Sequence, residues 1–172
     1  NTEQKIDAQL LICEQDTVLK FKIRESTLLS RVIVLDNHAI SDSVLLQPFQ
    51  PLLQQPVDSA QIDEALEDVL RIYRKQGYSL ARIDSFKINP QTGFAAITVS
   101  EGRIGDIRYV GNLTTRHYIL SREFLLKSGD IFQKSRAEAG IDNIYATGLF
   151  HSVLLGWKQN EDRYDLKIYT HE

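Results

Sequence analysis

The stretches RVIVLDN (31–37) and DIRYVGN (106–112) decide how this chain is read, because each opens the same succession of segments. After the first come QIDEALEDVLRIYRKQGYSLARIDSF (61–86) and FAAITVSEG (94–102). After the second come SRAEAGIDNIYATGLFHSVLLGW (135–157) and YDLKIYT (164–170). Self-similarity at a fixed period marks a tandem of small units that stack on one another. Asn37 aligns with Asn112, Tyr73 with Tyr145 and Gly77 with Gly148. The Asn-to-Gly spacing is 40 in the first copy and 36 in the second, so one loop longer by four residues accounts for the difference.

Each copy reads as βααββ. Val32–Leu35 and Ile107–Val110 are β-branched or aromatic runs that predict strands. In the second copy a first helix is expected from an N-cap at Thr115 to about Lys127, stopping at Gly129. In the first copy it starts near Ser41 and meets Pro48 and Pro51, which remove helical hydrogen bonds, so it should be short. The second helix is the clearest element. Asp58 with Gln61, and Ser135 with Glu138, resemble capping boxes. Ile62, Leu66, Val69, Leu70 and Tyr73 form one apolar stripe, and Arg74 and Lys75 complement the dipole at its end. Gly77 and Gly148 sit where a left-handed residue closes a helix. A hairpin follows each glycine, Tyr78–Ile88 with Phe94–Ser100 and Leu149–Trp157 with Arg163–Thr170. Ala95, Ile97 and Val99 share one face of the closing strand, as do Tyr164, Leu166 and Ile168.

The fold class is therefore α+β: tandem βααββ modules, each a three-stranded mixed sheet covered by two helices. Residues 1–26 read as the closing hairpin of a preceding module, since KIRES before VIVLDN echoes TVSEG before IRYVGN. Residues 27–102 and 103–172 read as complete modules. A hairpin alone is marginal in water, so the first one is expected to pack on its neighbour. The junction EGRIGD (101–106) holds two glycines and permits a hinge.

The bulk numbers fit this reading. At 42% hydrophobic and 25% charged residues, the 172-residue chain has the composition of a globular protein. Its net charge of -3 gives no basis for a nucleic-acid partner. KH-like RNA binding also lacks its GxxG loop between the helices. The chain has no Met, which suggests a processed or partial product. Cys13 is the single cysteine and reads as a small half-buried strand residue. His38, His117, His151 and His171 lack metal-ligand spacing, and no phosphate-binding glycine motif occurs. Asp63, Glu64, Glu67 and Asp68 decorate a solvated helix face. No catalytic, cofactor or metal site emerges, and the chain is not read as an enzyme.

What remains is backbone. If the two helices form an antiparallel pair, the first and third strands run parallel and the second pairs antiparallel with the third. The second strand is then an open edge. Such an edge is either guarded by charge or available to a partner strand. The candidate polypeptide-binding residues are Leu80, Ala81, Arg82, Ile83, Asp84, Ser85 and Phe86 in the first copy. In the second they are His151, Ser152, Val153, Leu154, Leu155, Gly156 and Trp157. Arg82, Asp84 and Lys158 are candidate guards. Trp157 either faces out near the edge, suited to contact with another chain, or covers the core end, where tryptophan is usually found.

YRKQGYSLARI (73–83), ITVSEGRIGDIRYVGN (97–112), SGDIF (128–132) and IDNIYATGLFHSV (141–153) together resemble polypeptide-transport-associated (POTRA) domains. The second copy is similar to those of barrel-assembly factors through Gly111, Asn112, Gly129, Asp130, Tyr145, Gly148 and Phe150. The first, with Tyr73, Arg74, Gly77, Tyr78, Ala81 and Arg82, is closer to two-partner-secretion transporters. The resemblance implies a periplasmic location, as the soluble arm of an outer-membrane protein whose chain continues into a membrane β-barrel. It implies unfolded or extended client polypeptides and partner periplasmic or lipoprotein subunits as ligands. The alternative is a structural assembly module of a cell-division or secretion-pore complex.

Overall fold

The computed structural model describes the backbone of Lys5–Cys13 and Asp16–Arg24 and all of residues 27–172. The two leading strands, β1 (Lys5–Cys13) and β2 (Asp16–Arg24), pair antiparallel from Lys5 with Arg24 to Cys13 with Asp16. The expected burial of Cys13 and the packing of this hairpin on its neighbour lie outside the described residues.

The first module runs β3 (Arg31–Leu35), α1 (Asp42–Leu45), a 3-10 helix (Gln47–Leu52), α2 (Ser59–Lys75), β4 (Arg82–Ile88) and β5 (Phe94–Ser100). The second runs β6 (Arg103–Val110), α3 (His117–Glu123), α4 (Lys134–Ala146), β7 (Ser152–Asn160) and β8 (Arg163–His171). Strand orders are β3-β5-β4 and β6-β8-β7. In each sheet the outer first strand is parallel to the central one and the hairpin partner is antiparallel, the arrangement expected from the βααββ order.

Local chemistry explains most boundaries. The prolines cut the first helix of module one to a single turn followed by the 3-10 segment. Asp58 caps α2 by accepting from the Ala60 amide at 3.1 Å. The helix closes with Gly77 left-handed (φ 88°), its amide bonded to the Arg74 carbonyl and the Tyr78 amide to the Tyr73 carbonyl. This pair of bonds satisfies carbonyls that a helix end otherwise orphans.

Each module buries its own apolar cluster. The first centres on Val32, Val34, Phe49, Val69, Tyr73 and Ile97, and the second on Ile104, Leu120, Phe124, Ile144, Leu166 and Ile168. The loop between the helices is stitched to the strand start in the same way in both. Leu29 bonds the Gln54 amide and the Gln55 carbonyl; Ile104 bonds the Gly129 amide and the Asp130 carbonyl.

Several expectations change. Residues 115–127 are not one helix: α3 ends at Glu123, and the chain then runs extended so that Phe124 and Leu126 both reach the core while Leu125 stays exposed. The helical reading of this apolar run failed because its burial alternates. Ser135 is not an N-cap either. Gln133 holds that position without a side-chain bond, and its carbonyl takes the first helical amide, from Ala137. On α2, Ala65 is buried, whereas Leu66 and Leu70 are only partly so. Tyr73 is fully buried, but its expected counterpart Tyr145 is 58% exposed; Ile144 occupies the equivalent place, four residues before the closing glycine. Of the two junction glycines, Gly105 lies inside β6, where a side-chain carbon would strike the Asp165 carboxylate. That glycine serves packing rather than a hinge.

Candidate functional site

The two open edges differ in how far they are exposed. In module one, Leu80 and Ala81 precede β4, and Leu80 is buried in the core of module two. Arg82 begins the strand and is tied by Nε to Asp84 at 2.7 Å and by Nη2 to Asp162 of the second module at 3.2 Å. The register shifts between Ile83 and Ser85, which leaves Asp84 as a bulge. A bulge, inward-drawn charge and a bridging contact are the devices by which natural sheets blunt an edge. Ser85 bonds Thr98 across the hairpin at 3.2 Å, and Phe86 lies partly buried against the core.

The second edge is longer and regular. From Ser152 opposite His171 to Asn160 opposite Arg163, β7 pairs with β8 over nine residues with no shift. His151 precedes the strand and adds one bond, from its amide to the His171 carbonyl at 2.7 Å. Val153 and Leu155 turn toward the core. Leu154 points to the uncovered face and is 66% exposed, and Gly156 on that face leaves room for the Tyr169 ring. Of the two readings of Trp157, the structure gives the exposed one. The side chain sits on the helix-covered face but beyond the helices' reach, 58% exposed, edge-on to Tyr164 with centroids 5.7 Å apart. Lys158, Gln159 and Asn160 are exposed and continue the strand past the expected end.

Sequence reasoning missed a pair of carboxylates. Glu101, just after β5, accepts the His38 and Ala39 amides at 2.8 Å each and the Tyr73 hydroxyl at 3.0 Å. Burial and the neighbouring Glu101 charge push the Tyr73 phenol well above its ordinary range, so it remains a donor. Glu172, just after β8, accepts the Thr114 and Thr115 amides at 2.7 Å each. Asn37 and Asn112 brace the same two loops by donating to the carbonyls three residues on. The available signal was the shared position of a glutamate at the end of each closing strand.

The two amide bonds hold the Glu172 carboxyl at about 2, down from its usual 4.5. A carboxylate with a depressed value stabilises the folded state above its ordinary range and loses that contribution as pH falls through the folded value. The Thr114 and Thr115 amide resonances should therefore titrate with a midpoint near 2. A midpoint in the ordinary carboxylate range would show that Glu172 does not latch the loop.

Among the described residues, no group of three or more His, Cys, Asp and Glu is placed to hold a metal ion, and no helix is long and apolar enough to cross a membrane. His117 packs edge-on to Tyr109, and the His151 and His171 rings lie 6.0 Å apart.

Residues 27–102 match the family model for a POTRA domain of the ShlB type. Residues 102–172 match the POTRA model described as surface antigen variable number repeat. Among solved structures, POTRA domains 1–3 of the periplasmic domain of Omp85 from Anabaena share 18% identity at a TM-score of 0.83, covering 98% of this chain and 74% of that one. The N-terminal domain of Omp85 from the thermophilic cyanobacterium Thermosynechococcus elongatus shares 19% at 0.80, covering 98% and 77%. CdiB from Escherichia coli shares 18% at 0.70, covering 86% of this chain and 27% of that one. At these identities the likeness is one of fold. No curated protein matches the chain significantly by sequence. POTRA domains of Omp85 proteins are periplasmic arms of outer-membrane proteins. Two adjoining family matches on a repeated βααββ fold establish that this chain belongs to the POTRA family, as a tandem of two such domains.

Proposed function

We propose that this tandem is the periplasmic arm of an outer-membrane protein for assembly or secretion, and that it binds extended client polypeptides or partner subunits by strand addition along β7. The observation that carries the reading is the uninterrupted nine-residue edge of β7, with Leu154 and Trp157 exposed on its opposite faces. Backbone groups on such an edge supply affinity to any extended chain, and side-chain neighbours at alternate positions supply preference. The β4 edge is the weaker candidate, because the Asp84 bulge and the Arg82 ion pairs block its first half. The parent chain is expected to continue into a membrane barrel, visible as alternating strands of about ten residues beyond this segment.

Titrating an extended peptide with alternating apolar residues should shift the backbone amides of Ser152–Asn160 and leave Arg82–Asp84 unmoved. Trp157→Ala should weaken that binding about tenfold, as for an exposed aromatic anchor. Absence of shifts along β7 at millimolar peptide would sink strand addition and leave a module that contacts only fixed partners.

A further inference from the structure

Gly156 interrupts an edge strand otherwise built of side chains. Glycine inside a strand weakens it and marks a place where another group comes close. Here that group is the Tyr169 ring. A carbon added at Gly156 would stand 3.2 Å from Tyr169 Cε2, so the ring leans from β8 across the bare backbone of β7. An aromatic ring from a neighbouring strand is a common cover for such a gap. The cover is partial: Tyr169 remains 45% exposed, and Leu154, directly opposite it on β7, is 66% exposed.

The first module has neither the gap nor the ring. With Glu101 and Glu172 aligned, Thr98 stands where Tyr169 does. Ser85 faces Thr98 where Leu154 faces Tyr169, and Lys87 faces Ala96 where Gly156 faces Lys167.

Strand spacing sets which side chain can use the gap. Neighbouring strands lie about 4.8 Å apart, so a strand added to β7 stands about twice that distance from β8. Side chains so separated normally meet the residue between them and not each other. Over Gly156 no side chain intervenes. A long, flat side chain on the added strand can therefore lie over the glycine and pack on the Tyr169 ring, whereas valine or alanine falls short. The surroundings are basic. Lys167 lies opposite Gly156, and Lys158 lies two residues further along the same face. Among the described residues neither lysine forms an ion pair. Asp165, opposite Lys158, accepts instead from the Asp106 amide at 2.9 Å and from Asn160 at 3.3 Å.

We propose that Gly156 and Tyr169 form the specificity notch of the β7 edge, selecting extended chains that place a large aromatic side chain over Gly156 and an acidic one beside Lys158. The notch rests on strand addition along β7, the reading given above.

Peptides as long as β7, of alternating threonine and valine, carry phenylalanine, leucine, valine or alanine at the centre and a glutamate two positions before or after it. Each is titrated into the full chain, followed by its amide and Hα resonances. The phenylalanine peptide should bind about fivefold tighter than the valine peptide, as for an aromatic pair, with a ring-current shift at the Gly156 Hα. Tyr169→Leu removes the ring and Gly156→Val closes the gap, so each should erase that preference while the β7 amides still shift. One glutamate placement should bind about twofold tighter than the other, as for an exposed ion pair, and Lys158→Glu should reverse the order. Shifts along β7 without a preference for phenylalanine, or a preference that survives Tyr169→Leu, overturn the notch and leave strand addition standing. Absence of shifts along β7 with every peptide overturns both. Equal binding of the two glutamate placements, unchanged by Lys158→Glu, overturns the acidic half of the selection. If Gly156→Val does not fold, Tyr169→Leu decides, because it alters an exposed ring.

Discussion

Tyr73→Ala should lower the stability of the first module by about 3–5 kcal/mol, the range for emptying a large aromatic site in a packed core. Tyr73 has no exposed surface, and its ring stands among Val69, Ile97 and Val99 in the first cluster. Truncation also removes the hydroxyl that donates to Glu101, leaving that buried carboxylate with only its two loop amides. Tyr73→Phe separates the two losses: it keeps the ring and should cost about 1–3 kcal/mol, the penalty of one deprived buried acceptor. Tyr145→Ala is the control. That ring is mostly exposed, so its removal should stay within about 0.5 kcal/mol. Urea unfolding followed by amide signals of each module reads all three. A Tyr145 variant as damaging as the Tyr73 variant would show that the repeat was aligned correctly by residue type and incorrectly by structure.

Gly111→Ala should be the most damaging single-methyl change in the second module. Gly111 is left-handed (φ 97°), a backbone in which an L side chain costs roughly 1–2 kcal/mol. Here the added carbon would also stand 2.0 Å from the Thr170 carbonyl oxygen, so β6 and β8 must separate where Val110 faces Tyr169. The combined loss should exceed about 3 kcal/mol, beyond the usual range for a point substitution. Hydrogen exchange of the β8 amides should accelerate from the Thr170 end inward. Asp36 holds the same place in the first module with φ 63°, so the conformation alone is tolerated there. An alanine variant only about 1 kcal/mol weaker would mean that strain matters and the clash relaxes.

Much of this architecture was legible before any tertiary contact was known. The β-branched run Val32–Leu35, the prolines at 48 and 51, the Asp58 cap and the glycines at 77 and 148 act through neighbours only a few residues away, so their consequences can be read locally. Strand directions then followed from chain reversal. The open β7 edge was legible for the same reason, although its length and the exposure of Trp157 were not. Trp157 escapes burial because α4 does not extend over the far end of the sheet, a matter of helix length against strand length.

The sequence by itself determined the repeat, the order of elements in each module and the position of its open edge, because periodicity and helix termini are properties of short windows. Tertiary structure alone decided that Phe124–Leu126 runs extended, since only the presence of α4 rewards burying alternate residues there. It also decided that Ile144 and not Tyr145 replaces Tyr73, and that Arg82 reaches Asp162 across the joint. Above all it decided the roles of Glu101 and Glu172. Each carboxylate binds amides about sixty residues away in the chain, and no local pattern encodes a partner at that separation.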